Sequence, residues 1–233
     1  MVCRHVSSAI GDKGAEIMAV ESWSEFYRLR QTVKQRYPTI WSVPLVKKEM
    51  DRLVALVADG MRVLEVGAGD RRFGKRLQSL RQDIDYRSFD IDIATEQDYY
   101  RFEDIEGPFD CIYAFELIEH LTPKEGLALL RRLYELLQPG GFLLLGTPNL
   151  YHPHRYWGDI THKTPYKYEE LGALMMLAGF ASPSVFRIYN DALLRRWLRM
   201  HLGVWLHRYL DIDFAGTILI EAARDARMKG GAS

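Results

Sequence analysis

The sequence is poor in cysteine, in net charge and in long apolar runs, and each shortage argues against a class of protein. Only two cysteines, Cys3 and Cys111, occur among 233 residues. A disulfide-bonded secreted scaffold is therefore excluded, and we expect a reducing, cytoplasmic location. Lysine plus arginine and aspartate plus glutamate both number 31, and this net charge of +0 gives no general attraction to nucleic acid. No apolar run is long enough to predict a membrane-spanning helix or a signal peptide.

The remaining composition is typical of a globular chain, with 48% hydrophobic and 27% charged residues. The length suits one α/β domain of ordinary size. We expect a loose leader over residues 1–20 and a single domain over residues 21–233. N-terminal helices are predicted within residues 21–58, the first ending at Pro38 and the second starting after Pro44.

Beyond Gly60, short apolar segments alternate with segments of helical periodicity. Strands are predicted over residues 61–66, 86–91, 109–115, 142–145, 184–189 and 214–222. Helices are predicted over residues 71–80, 123–137, 169–178 and 191–209. This alternation predicts a parallel sheet with helices on both faces, which binds ligands beyond the carboxyl ends of its strands.

A glycine loop, Gly67-Ala68-Gly69, directly follows the first of these strands and precedes a helix. Glycine lets a backbone turn tightly and approach a ligand closely, so this geometry is typical of nucleotide binding. Asp90 ends the next strand, where a carboxylate can accept hydrogen bonds from both ribose hydroxyls. Arg72 stands where the dinucleotide fingerprint has its third glycine, which disfavours an NAD dehydrogenase.

Several segments follow one another in the order and spacing of a known family. They are VLEVGAGDRRFGKRL (63–77), SFDID (88–92), FDCIYAFELIEHL (109–121), LLQPGGFLLLGTPN (136–149) and the weaker THKTPYKYEELGALMMLAGF (161–180). Together they resemble the class I S-adenosylmethionine-dependent methyltransferases over roughly residues 45–190. The resemblance implies a Rossmann-like, doubly wound, mostly parallel seven-stranded sheet with an antiparallel last strand. It also implies S-adenosylmethionine as cofactor.

The resemblance implies a set of cofactor-binding residues. Those near the methionine portion and the floor of the site would be Glu65, Gly67, Ala68, Gly69, Phe115 and Glu116. Those around the nucleoside would be Asp90 on the ribose, Ile91 on the adenine ring, and Glu103 or Asp104 near the adenine amino group. The chain departs from the family in two places. Arg71 replaces a third glycine of the loop, and the stretch 92–109 is short, so its usual helix is reduced.

Glu116, Glu119 and His120 have the spacing i, i+3 and i+4, which would place them on one helix face. Carboxylates and imidazoles suit a divalent metal; without metal, His120 or His162 could act as general base. Metal-dependent small-RNA 2′-O-methyltransferases share this E-x-x-E-H spacing, a later T-P-N (147–149 here) and a later histidine, His162. That resemblance implies a metal held by Glu116, Glu119, His120 and His162. Some ubiquinone-pathway O-methyltransferases also resemble the first triad.

Two further segments carry candidate partner contacts. The loop after the fifth strand either binds the acceptor or caps the site through its polar and aromatic residues, which are His152, His154, Arg155, Tyr156, Trp157, Asp159 and His162. The predicted helical insertion at 191–210 combines an apolar face with arginines. Residues 193–210 could pack on the sheet, lie on a membrane surface or contact a second copy.

Three functions are compatible with these patterns. The first is methyl transfer to a hydroxyl oxygen of a small-molecule, glycan or lipid-linked acceptor. The second is metal-dependent 2′-O-methylation of RNA, which the zero net charge disfavours. The third is a non-catalytic module that only binds the cofactor.

Overall fold

The computed structural model of the protein describes residues 20–226. All but the last residue of the leader predicted over 1–20 therefore lies outside the described residues, as do residues 227–233. The strands are β1 (Leu45–Val46), β2 (Arg62–Val66), β3 (Asp85–Phe89), β4 (Phe109–Phe115), β5 (Leu137–Pro148), β6 (Ser184–Ile188) and β7 (Thr217–Ala223). The α-helices are α1 (Val20–Arg36), α2 (Glu49–Leu56), α3 (Arg72–Gln78), α4 (Pro123–Leu136), α5 (Tyr168–Leu177), α6 (Leu193–His201) and α7 (Val204–Tyr209). Short 3-10 helices occur at Ile40–Ser42, Phe102–Asp104 and Ile118–His120.

The strands form one seven-stranded sheet in the order β1-β6-β7-β5-β4-β2-β3. Strand β7 runs antiparallel to both of its neighbours, β5 and β6. The other neighbouring strands pair in parallel. This topology confirms the predicted doubly wound sheet with an antiparallel last strand. The carboxyl ends of β2, β3, β4 and β5 therefore lie along one edge, where such sheets bind ligands.

Local sequence accounts for the central elements. Thr122 caps α4 and exchanges hydrogen bonds with Glu125 in a capping box, and Pro123 occupies the first helical turn. Leu130 and Leu133 of this helix are fully buried. Strand β4 is an apolar run because both of its faces are covered, and its Phe109 is completely inaccessible to solvent.

The N-terminal part of the sheet differs from the prediction. A helix was expected directly after Pro44, but Leu45–Val46 is an edge strand and α2 starts only at Glu49. The extended chain completes the backbone hydrogen bonds of β6: Arg187 N donates to Pro44 O at 2.8 Å, and Tyr189 N donates to Val46 O at 3.2 Å. Pairing with a strand about 140 residues away, rather than local periodicity, decides this conformation.

The stretch between β3 and β4 holds no α-helix, as its short length predicted. Side chains hold it in place instead. The Asp98 carboxylate accepts hydrogen bonds from both the backbone N (2.9 Å) and the hydroxyl (2.8 Å) of Ser88. Gln97 Nε2 donates to Gly69 O at 2.8 Å, so this stretch is tied directly to the glycine loop.

A buried polar network joins β5, β6 and the approach to β7. Arg187 Nη1 lies 2.9 Å from Asp213 Oδ1, and these two side chains are 5% and 0% exposed. Asn149 Nδ2 donates to the other Asp213 oxygen at 2.9 Å and to Ala215 O at 2.8 Å. Arg187 Nε also donates to Val43 O at 3.0 Å, which secures the segment ahead of β1. Burial lowers the pKa of Arg187, and the Asp213 carboxylate partly offsets that effect.

We predict that Asp213→Asn destabilises the protein by about 3 kcal/mol, because it leaves a buried guanidinium without its counter-charge. Urea unfolding followed by circular dichroism measures the change. The matched control is Glu135→Gln, which removes the carboxylate of an exposed ion pair with Arg132 (3.3 Å). That control should cost less than about 1 kcal/mol. Equal effects of the two variants would contradict a structural role for the buried pair.

Candidate active site

The glycine loop turns at the carboxyl end of β2. Gly67 and Gly69 both have left-handed backbones, with φ of 77° and 48°. Arg71 is left-handed too, with φ of 59°. This conformation costs a residue with a side chain about 1–2 kcal/mol more than it costs glycine. Its guanidinium lies 3.4 Å from an Asp98 carboxylate oxygen and stacks on the ring of Tyr86. Arg71 therefore keeps the left-handed turn although it replaces the glycine that is usual in the family.

Asp90 lies opposite this loop, at the end of β3. Its Oδ2 accepts a hydrogen bond from Gly69 N at 2.8 Å, and its Oδ1 accepts one from Asp92 N at 3.0 Å. The carboxylate is therefore placed at the carboxyl end of β3, next to the loop, as the ribose assignment requires. Its position is held by backbone N–H groups rather than by a cationic side chain.

Glu65 is buried one residue before the end of β2. Its Oε2 accepts hydrogen bonds from Gly74 N at 3.2 Å and from the Tyr86 hydroxyl. Burial raises the pKa of Glu65, although these hydrogen bonds oppose the effect. Glu65 thus links β2 to the start of α3 and to β3, and it also lines the cleft described next.

Two cavities adjoin the loop. A narrow, apolar slot of about 30 Å³ lies between β2, β3 and the chain after β4. It is lined by Val66, Gly67, Phe89, Asp90, Ile91, Phe102, Leu117, Leu121 and Leu129. An open cleft of about 540 Å³ lies on the other side of the loop. Its lining includes Lys48, Glu49, Met50, Glu65, Gly67, Ala68, Gly69, Phe73, Phe115, Glu116, Arg155, Asn190 and Thr217.

The predicted cofactor residues divide between these cavities. Ile91 and Asp90 line the slot, whereas Phe115 and Glu116 line the cleft. Glu103 and Asp104 lie exposed on a 3-10 helix, and it is the preceding residue, Phe102, that lines the slot. Their contact with an adenine amino group stays a prediction.

A second cluster lies beyond the carboxyl ends of β4 and β5. Potential ligand atoms of Glu119, His120 and His162 all lie within 4.8 Å of one another. Glu119 is completely buried, and its Oε2 accepts a hydrogen bond from the Thr147 hydroxyl at 3.0 Å. Its Oε1 accepts no hydrogen bond from the described part of the chain and lies 4.0 Å from His162 Nε2.

Hydrogen bonds orient both imidazoles toward this carboxylate. His162 Nδ1 lies 2.7 Å from the Tyr156 carbonyl oxygen, so Nδ1 is the donor and Nε2 keeps its lone pair. His120 Nδ1 lies 3.0 Å from the Thr161 hydroxyl, which donates its own proton to Asp159. His120 Nδ1 is therefore also a donor. On His162, donation from Nδ1 leaves Nε2 as the basic nitrogen, the arrangement that ligating or proton-accepting histidines use.

Glu116 does not join the cluster as its i, i+3 spacing predicted. Its backbone is left-handed (φ 53°), which separates it from the 3-10 helix that carries Glu119 and His120. Its carboxylate turns instead to the Thr217 hydroxyl, at 3.3 Å, and to Arg155, at 3.8 Å. Burial, followed by the nearby charge of Glu116, raises the pKa of Glu119 to about 8. Burial lowers the pKa of His120.

The sequence patterns did not identify every residue at this edge of the sheet. Lys48 and Met50 at the start of α2, with Asn190 and Thr217 around β6 and β7, line the cleft together with Arg155 of the predicted acceptor loop. These residues come from distant parts of the chain, and no motif connects them. The sheet order alone brings them together.

Comparisons with known proteins agree with this architecture. The family described as "Methyltransferase domain" matches residues 42–185. No curated protein matches the chain in sequence. The chain therefore belongs, by its family match, to the methyltransferase domains; with its fold and glycine loop it is a class I S-adenosylmethionine-dependent methyltransferase.

Solved structures share the fold at low sequence identity. A SAM-dependent methyltransferase from Archaeoglobus fulgidus is 17% identical, with a TM-score of 0.62, and the match covers 83% of this chain and 94% of that chain. An S-adenosylmethionine-dependent methyltransferase from Mesorhizobium loti is 16% identical (TM-score 0.56, covering 76% and 98%). Phosphoethanolamine N-methyltransferase 2 from Haemonchus contortus, in complex with S-adenosyl-L-methionine, is 16% identical (TM-score 0.54, covering 76% and 52%). At these identities the likeness shows the fold alone.

We predict that Asp90→Ala weakens S-adenosylmethionine binding by about 1–3 kcal/mol, since it removes the acceptor for the ribose hydroxyls and for Gly69 N. Isothermal titration calorimetry measures the affinity. Asp92→Ala is the control, because the Asp92 carboxylate only accepts from Ala94 N at 2.9 Å in the exposed turn that follows. Unchanged affinity in a folded Asp90→Ala protein would contradict the ribose assignment.

Proposed function

We propose that the enzyme transfers the methyl group of S-adenosylmethionine to a hydroxyl oxygen of a small-molecule, glycan or lipid-linked acceptor. The observation that carries the proposal is the cluster of Glu119, His120 and His162 beyond the carboxyl end of β4. Methyl transfer itself requires in-line alignment of nucleophile, methyl and sulfur with water excluded. A hydroxyl acceptor adds one requirement, a group that takes its proton.

His120 and His162 can meet that requirement. The hydrogen bond to the Tyr156 carbonyl leaves Nε2 basic on His162, and the His120 ring packs edge-on against it with centroids 4.9 Å apart. A general base of this kind contributes about 100-fold or more to rate. The open cleft, with Glu116 and Arg155 at its wall, provides space for an acceptor beside the glycine loop. A hydroxyl acceptor needs such a base because it must lose its proton, whereas a neutral amine is already nucleophilic. These groups therefore fit an oxygen acceptor better than a nitrogen acceptor.

The cluster also fits a divalent metal, and Glu119, His120 and His162 would hold it. Glu119 Oε1 is buried without a hydrogen bond from the described residues, His162 Nε2 lies 4.0 Å from it, and a ring nitrogen of His120 belongs to the same cluster. Two histidines and one carboxylate suit zinc, manganese or iron. A bound metal would lower the pKa of an acceptor hydroxyl. The same cluster favours 2′-O-methylation of RNA as a second candidate, although the net charge of +0 weighs against a polyanionic acceptor.

The position of the transferred methyl group tests the acceptor atom. Purified enzyme is incubated with methyl-¹³C-labelled S-adenosylmethionine and, separately, with a small-molecule extract, a lipid extract and RNA. Carbon NMR of the products distinguishes methyl groups on oxygen from those on nitrogen or sulfur. We expect labelled methyl ethers from the small-molecule or lipid extract. Label only on nitrogen would contradict the proposal, and label only on RNA would favour the second candidate.

We predict that His162→Gln lowers this methyl transfer by about 100-fold, because glutamine keeps a donor for the Tyr156 carbonyl but supplies no base. His154→Gln makes the same chemical change on an exposed part of the same loop and should leave the rate unchanged. Calorimetry with S-adenosylmethionine should give the same affinity for both variants. Full activity of a folded His162→Gln enzyme would remove His162 from the mechanism.

Metal binding is tested with Co²⁺, whose visible spectrum reports its coordination. After dialysis against a chelator, we expect the wild-type chain to bind Co²⁺ and Glu119→Gln to bind it at least about tenfold more weakly. Glu135→Gln is the control and should keep the wild-type affinity, because Glu135 is exposed and does not belong to the cluster. Equal affinities of wild type and Glu119→Gln would exclude a metal at this position.

A further inference from the structure

The two helices of the insertion expose an unusual amount of apolar surface. We refer to residues 193–210, comprising α6, α7 and the link between them, as the helix pair. Its exposed apolar side chains are Leu194, Trp197, Leu198, Met200, Leu202, Trp205, Leu206, Tyr209 and Leu210. Leu194 is 72% exposed, Trp205 67% and Tyr209 83%. Helices of soluble domains normally bury such a face against the core.

The helix pair is turned the opposite way, and two arginines of α6 contact the protein instead. The Arg196 guanidinium stacks on the Tyr189 ring at 4.2 Å, and Arg199 Nη1 lies 2.6 Å from an Asp191 carboxylate oxygen. In α6, Leu194, Trp197 and Leu198 follow the i, i+3, i+4 spacing and share the opposite, solvent-facing side.

The second helix is attached in the same manner. The Arg208 guanidinium lies 5.7 Å from the centre of the Trp41 ring, and the His207 ring packs against Phe214 with centroids 6.1 Å apart. Cation–π and ion-pair contacts therefore fix both helices to the domain. Their apolar side chains are left for a partner outside the described chain.

We propose that the helix pair docks the enzyme on a membrane surface that contains anionic lipids. Tryptophan and tyrosine prefer the interface between lipid tails and water, and Trp197, Trp205 and Tyr209 all project from this face. Of the four arginines in residues 191–211, Arg195 and Arg208 are exposed and remain available to anionic headgroups. Apolar burial together with attraction to anionic headgroups is how interfacial helices bind.

The charge of this region favours a lipid surface over a second copy of the chain. Arg195 lies at the edge of the apolar face with 68% of its side chain exposed. Anionic headgroups complement this exposed guanidinium, whereas a second copy of the chain would offer the same cationic edge. None of the described helices is long and apolar enough to cross a bilayer, so the contact that we propose is with the surface.

Docking would place the bilayer beside the cleft. Asn190, which lines the cleft, is three residues from the start of α6. The proposal goes beyond the proposed function, because it depends on exposed side chains and not on the atom that is methylated. A membrane next to the cleft would favour acceptors that are dissolved in, or attached to, the bilayer.

Vesicle sedimentation tests the proposal with the full chain. One set of vesicles is phosphatidylcholine alone, and the other contains one quarter phosphatidylglycerol. We expect binding to the anionic vesicles that weakens as salt is raised. The triple variant Leu194→Ser, Trp197→Ser and Trp205→Ser should bind them about tenfold or more weakly. Arg195→Glu should weaken binding to anionic vesicles selectively.

The control is Tyr27→Ser with Ile93→Ser, which removes apolar side chains that are 61% and 85% exposed elsewhere on the protein. This variant should bind vesicles like the wild type. All variants should keep wild-type S-adenosylmethionine affinity, which reports an intact fold. Absence of wild-type binding to anionic vesicles would overturn the proposal. So would equal binding by the triple variant, or a dimer that the triple variant abolishes without any change in vesicle binding.

Discussion

The cleft side of this enzyme depends on one buried charge pair, Arg187 with Asp213. Burying two ions costs free energy unless both are hydrogen-bonded. Here Asn149 donates to the Asp213 carboxylate, and the Val43 carbonyl accepts from Arg187. The pair fixes the end of β5, the entry to β7 and the edge strand β1 relative to one another. The Arg187 guanidinium also stacks on Trp41, the ring on which Arg208 of the helix pair packs. The wall of the cleft and the helix pair are therefore both attached to Arg187 and Trp41.

The cofactor side has a different support, built from short-range carboxylate contacts around the glycine loop. Glu65 joins β2 to α3, Asp90 holds Gly69, and Asp98 holds Ser88 and Arg71. Each carboxylate accepts from backbone N–H groups or hydroxyls of a neighbouring element. These contacts determine the conformation of the loop without an α-helix between β3 and β4. Such a prepared loop lowers the entropy that cofactor binding must offset.

Sequence patterns were sufficient for the fold because hydrophobic periodicity and turn residues report local structure directly. Strand β4 has the predicted bounds, and α4 differs from its prediction by one residue. Prediction was wrong where long-range pairing decided the conformation, as at Leu45–Val46, whose partner β6 is far away in the chain. It was also incomplete at Gly203, which separates α6 from α7 within a single predicted helix.

In the candidate site, too, local motifs could be predicted from the sequence and long-range contacts could not. Motif spacing identified Glu119, His120 and His162, which the fold brings together. It misplaced Glu116, because a single left-handed residue redirects a side chain in a way that i, i+3 counting does not include. The walls of the slot and cleft required the sheet order, since Phe102, Leu129 and Asn190 belong to no shared motif.

The hydrogen bonds of Asp90 bear on its predicted contact with the ribose, because they determine how many acceptor positions the carboxylate has left. A carboxylate offers about four lone-pair positions, and the N–H groups of Gly69 and Asp92 use one on each oxygen. The positions that remain match the two hydroxyl donors of an unmodified ribose. A 2′-phosphorylated nucleoside would bring an anion with no proton to donate against this negative charge. A 2′-deoxynucleoside would leave one acceptor position without a donor, so a carboxylate that binds the ribose as predicted would favour the unmodified sugar.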